Sequence, residues 1–129
     1  MNTQQIRNIL MRYKTTRDQL GSVCPADCIP LHVTKRPQIY IVNTDPRGYE
    51  GRHWVAFYFP VDGQCEYFDS CGRPPRLPWF KESLKNNGPS FIYNVKRIQD
   101  YHSKTCGCYC VICTTTMSWL VFTEDCKLV

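Results

Sequence analysis

Cys106, His53, Asp69 and Gln99 are the residues whose types and order along the chain could perform nucleophilic chemistry together. Cys106 opens a continuous apolar stretch that reads as a buried helix. A cysteine in that place meets unpaired backbone amides and the positive end of the helix dipole, and both favour a thiolate. The polar run from Gln99 to Thr105 keeps the sulfur approachable, and Gly107 lets another part of the chain come close. A thiolate nucleophile needs a base, and the base needs an acceptor that orients it. Of the three histidines, His32, His53 and His102, His53 has an acidic partner, Asp69, placed by an expected hairpin. His102 is too near Cys106 in sequence to swing in across the three residues between them. Acyl transfer also needs donors for a developing oxyanion, and Gln99 offers a side-chain amide while Cys106 offers its backbone amide. Trp54, beside His53, is placed to roof the pair and, with Gly107, to line a substrate groove.

The elements that must hold these residues follow from periodicity. Ile6, Ile9, Leu10 and Tyr13 fall at i, i+3, i+4 and i+7, which predicts an amphipathic helix from Thr3 to about Leu20 that stops at Gly21, with Arg7, Arg12, Lys14 and Arg17 on or near its other face. Cys24 to Pro30 holds two prolines and reads as loop. Runs at Gln38 to Asn43, His53 to Phe59 and Gln64 to Asp69 are rich in β-formers. Asp62-Gly63 supplies the turn of a hairpin from His53 to Asp69, whose two ends then lie side by side. Trp79, Phe80, Ser83 and Leu84 suggest a short helix ending at Asn86-Asn87-Gly88, and Phe91 to Val95 a fourth strand. A second long helix is expected from Cys106 to about Phe122, followed by an acidic tail at Glu124-Asp125. The expected fold class is α+β, a small and mainly antiparallel sheet packed on a central helix that bears the nucleophile.

With 129 residues the chain suits one domain, 1–129, and 43% hydrophobic residues with a net charge of +5 exclude intrinsic disorder. Nine cysteines cannot all pair within the chain, and the polar start Met1 to Gln5 lacks a signal peptide's layout. The expectation is a reducing compartment, in which most of these thiols act as small buried hydrophobes. No stretch reaches the ~20 apolar residues of a bilayer span.

Four separated motifs resemble the adenovirus maturation protease (adenain) family of the SUMO-protease-like cysteine peptidase clan. They are Ile41-Val42-Asn43-Thr44, Gly51-Arg52-His53-Trp54-Val55-Ala56-Phe57, Cys65-Glu66-Tyr67-Phe68-Asp69-Ser70-Cys71-Gly72, and Gln99 followed seven residues later by Cys106-Gly107. The resemblance implies a thiol endopeptidase in which His53 is the base, Asp69 orients it, Gln99 polarises the oxyanion hole and Cys106 attacks. It also implies cleavage beside glycine or other small residues of viral structural precursor proteins, in a virus or virus-like transposon, with action in the virion and the host nucleus or cytoplasm. A monomer is expected, with no required cofactor and no membrane partner. Family members use DNA or a peptide as activator, and the net charge of +5 permits non-specific DNA contact. Gly88 stands at the spacing where adenain bonds its activating peptide through a cysteine, so a disulfide-held peptide is not expected here. The triad acid is Asp69, the form of the SUMO-protease branch, where adenain has a glutamate.

Two other readings use the same residues. A SUMO- or ubiquitin-like isopeptidase would need the same triad and more surface than this chain offers. A non-enzymatic DNA- or zinc-binding protein would draw on Cys24-x3-Cys28, the first zinc candidate, on Cys65-x5-Cys71 or on Cys106-x-Cys108-x-Cys110-x2-Cys113, but none has the paired C-x2-C spacing and no metal is expected.

Overall fold

The structure, a computed structural model, describes residues 1–48, 53–98, 106–115 and 126–128. Helix α1 (Thr3–Arg12) begins with a capping box, in which Asn2 accepts from the Gln5 amide and Gln5 accepts from the Asn2 amide. It buries Ile6 and Leu10. The helix does not run on to Leu20. Tyr13 is extended and exposed, and a single turn, α2 (Lys14–Arg17), leads into strand β1 (Leu20–Cys24). Gly21 therefore lies within a strand rather than capping a helix, and a Cβ there would overlap the Tyr40 ring.

β2 (Gln38–Asn43), β3 (Trp54–Phe59) and β4 (Cys65–Phe68) occupy the three expected β-runs. β3 and β4 form the hairpin, with Gly63 at φ +96° in its turn. α3 (Pro78–Asn87) starts with proline in its first turn, where the missing N–H costs nothing, and leads to β5 (Phe91–Asn94). α4 (Cys106–Thr115) carries the expected nucleophile at its first residue, and the expected continuation to Phe122 lies outside the described residues. β6 (Cys126–Leu128), in a stretch read as tail, closes the sheet beside β5.

The six strands lie in chain order in one mixed sheet. β1/β2 and β4/β5 are parallel, and the other three junctions are antiparallel. Helices lie on both faces, which explains why β2 and β3 are buried almost throughout. Alternation along β3 sends Val55, Phe57 and Phe59 into a core with Phe80 and Leu84 of α3. Trp54 and Ala56 point instead into a second core with Ile6 and Leu10 of α1 and Cys106, Cys110 and Val111 of α4.

Candidate active site

His53 is the residue before β3 and Asp69 the residue after β4. The hairpin pairs Ala56 with Phe68, so these two positions share one side of the sheet at its end. His53 Nε2 donates to Asp69 Oδ1 at 2.7 Å, and both residues are buried. The backbone behind each is fixed. The His53 carbonyl accepts from the Thr44 amide at 2.8 Å, which extends the β2/β3 ladder by one bond. At Asp69 the buried side chain of Asn94 clasps the main chain, accepting from the Asp69 amide at 3.0 Å and donating to its carbonyl at 2.6 Å.

Asp69 also organises the turn that follows it. Its Oδ1 accepts from the Cys71 amide and its carbonyl from the Gly72 amide, both at 2.8 Å. Gly72 has φ +71°, and a Cβ there would lie 2.8 Å from backbone atoms of Lys96 and Arg97, so glycine is required twice over. Ile98 donates to the Ser70 carbonyl at 2.9 Å. The chain leading from β5 towards Gln99 is thus stapled to the turn that bears the acid.

Cys106 arrives from the other core. The first turn of α4 packs over the start of β3, and the Trp54 amide donates to Cys106 Sγ at 3.3 Å. One turn on, the buried Cys110 thiol donates to the Trp54 carbonyl at 3.4 Å, holding the helix against the strand. Cys106 Sγ, held on the amide of the residue next to His53, is near enough for the two side chains to influence each other's charge. Burial opposes charge on each of them. For His53 the bond to Asp69 and the nearness of Cys106 outweigh burial and push the imidazole up to about 9. For Cys106 burial is outweighed by the His53 ring, then by the Trp54 and Gly107 amides, and the thiol is lowered. The opposite shifts favour a thiolate–imidazolium pair over the neutral one.

His53, Asp69 and Cys106 are thus brought together, and Gln99 lies outside the described residues. Trp54 and Gly107 pack against each other and both are buried. A Cβ on Gly107 would lie 3.3 Å from Trp54 Cδ1 and from Met1 Cβ, and the indole N–H donates to the Met1 carbonyl at 3.0 Å. Beside Trp54 an open cavity of about 270 Å³ runs between Met1, Pro25, Asn43, Asp45 and Arg47.

Sequence reasoning missed Asn94, and it weighed Cys71 only as a zinc ligand spaced with Cys65, not beside His53 and Asp69. A polar residue inside an otherwise apolar strand was the available sign of Asn94. Continuing the hairpin register beyond Ala56 and Phe68 sets position 71 opposite position 53, which was the sign of Cys71. Its thiol is half-buried, and His53, Asp69 and Cys71 offer ligand atoms within 4.8 Å of one another, the one such group of three among the described residues. The first zinc candidates named from sequence, Cys24 and Cys28, lie elsewhere. Cys24 is buried and its thiol pushed up to about 11 mainly by desolvation, and the Cys28 sulfur receives Arg47 Nη2 at 3.1 Å. No helix among the described residues is long and apolar enough to cross a membrane. No protein-family model and no curated protein matches the chain.

Proposed function

We propose that the protein is a cysteine endopeptidase of the adenain type, with Cys106 as nucleophile, His53 as base and Asp69 as its orienting acid. The observation that carries this reading is the placement of His53, which bonds Asp69 through Nε2 and stands next to Trp54, whose amide donates to Cys106 Sγ at the start of α4. The Cys106 thiolate attacks a peptide carbonyl, and the His53 imidazolium gives its proton to the leaving amine. Water, deprotonated by His53, then releases the acyl group and regenerates the thiol. The Cys106 amide, which has no intrahelical partner at the first residue of α4, and the Gln99 side chain stabilise the tetrahedral oxyanion. In this reading α4 is the central helix of an adenain-like arrangement, and Trp54 and Gly107 narrow the approach so that glycine or another small residue fits beside the cut. Precursors of virion proteins are the proposed substrates, and DNA the proposed accessory ligand of a monomer working in a reducing compartment.

The test is incubation of the protein with the proteins encoded beside it and with a peptide library, followed by mass spectrometry of the cut sites. Cuts beside small residues that vanish in Cys106→Ser are expected. Cleavage that survives Cys106→Ser at full rate overturns the assignment.

A further inference from the structure

We propose that His53, Asp69 and Cys71 form a binding site for a thiophilic divalent cation such as zinc, and that filling it switches the Cys106–His53 pair off. Imidazole, carboxylate and thiolate are the ligand types zinc prefers. With metal bonds of about 2.0–2.3 Å, tetrahedral ligands stand roughly 3.3–3.5 Å apart. The three groups already lie within 4.8 Å, so closing the site needs little more than a rotation of the half-buried Cys71 side chain. Two of the ligands come from one tight turn, locked by the Cys71 and Gly72 amides on Asp69 and by the close approach of Gly72 to the backbone of Lys96 and Arg97. The third comes from the adjoining strand end.

Binding releases two protons, one from the His53 imidazolium and one from the Cys71 thiol, and the dication then balances one thiolate and one carboxylate. A fourth position stays open to water. Arg73 Nε stands 3.6 Å from Asp69 Oδ2 and opposes the cation, but Arg73 is 46% exposed and solvent screens it. Once its ring is coordinated, His53 can neither hold the Cys106 thiolate as an imidazolium nor pass a proton to a leaving group. The binding half of the proposal stands on geometry alone. The inhibitory half rests on the thiol-protease reading.

Cobalt(II) chloride and zinc chloride, each added to the full chain under a phosphine reductant, test both halves. The expected result is a sulfur-to-cobalt charge-transfer band at one equivalent that persists in Cys106→Ser and is lost in Cys71→Ser, because Cys71 is the one sulfur among the three ligands. A band of unchanged affinity in both Cys71→Ser and Cys71→Ala overturns the site, with circular dichroism showing that the variants are folded. Zinc should also slow iodoacetamide labelling of Cys106, mapped by peptide mass spectrometry, in the wild type and not in Cys71→Ser. Labelling that zinc leaves unchanged overturns the inhibitory half. If Cys106 without metal reacts no faster than a free thiol while the cobalt band follows Cys71, the protease reading fails and the metal site stands.

Discussion

The two sides of the sheet solve different problems. Under α3 the core is aromatic and closed, with the Phe57 ring edge-on to both Tyr67 and Phe80 at 5.1 Å between centroids. Under α1 and α4 the same strand presents Ala56 and Trp54, and the facing helix presents Cys106 and Cys110. Small side chains there let the helix approach until the Trp54 amide reaches Cys106 Sγ. Large rings make stability and small ones make proximity, and β3 supplies both because its side chains alternate.

The largest effects should separate these roles. Phe57→Ala is expected to cost ~3–5 kcal/mol in urea unfolding, since it empties a core that cannot collapse around α3. His53→Ala should lower peptide hydrolysis by roughly 10²–10⁴-fold, the range of a lost general base, while the protein stays folded. The rate of peptide hydrolysis against pH should be bell-shaped. Its acid limb reports loss of the thiolate, and its alkaline limb reports loss of the His53 imidazolium as pH rises through about 9. Equal loss of stability in the two variants would erase the division between the faces.

A subtler pair is Asn87 and Asn94, both buried. Asn87 serves the α3 side, accepting from the Val33 amide at 2.7 Å and donating to the Leu31 carbonyl at 3.0 Å. Asn94 clasps Asp69. Each change to alanine leaves buried main-chain groups without partners and should cost about 1–3 kcal/mol. Only Asn94→Ala should also shift the pH profile of Cys106 alkylation, because only it frees the segment that holds His53. An identical shift in Asn87→Ala would show that general loosening, not the clasp, governs the site.

This pairing also marks what could be read in advance. β2, β3, β4 and α3 were legible because they are rich in β-formers or space their apolar residues as a helix does and their turns are local, and the hairpin alone set His53 beside Asp69. β1 and β6 were not. Leu20 to Cys24 contains Gly21, which reads as a helix stop until the Tyr40 ring is seen to fill the space of its Cβ, and Cys126–Leu128 is only three residues long. How many layers flank the sheet was not legible for a related reason. A strand buried on both faces reads as a continuous apolar run, and such a run does not tell how many layers cover it. The clasp by Asn94 joins residues 25 positions apart, so a polar residue closing an apolar strand does not reveal which segment it holds.

The smallest expected effect sharpens the contrast from the other direction. Glu66 lies on β4 with the parity of Phe68, on the side of α1 and α4, and burial raises its carboxyl to about 7. The unfolded chain ionises it near its ordinary value of 4.5. Between those two values the unfolded state gives up its proton first, so stability falls as pH rises through the window and stays lower above it. Glu66→Gln removes the titration. Because the carboxyl is only partly shielded, the gain at pH 8 should be ~1–2 kcal/mol, less than the full shift implies, with none at pH 4. Urea unfolding of both proteins at the two pH values measures it. A gain of equal size at pH 4 would trace the effect to packing, and the side of the sheet that carries the reactive thiol would then bear no cost from its buried carboxylate.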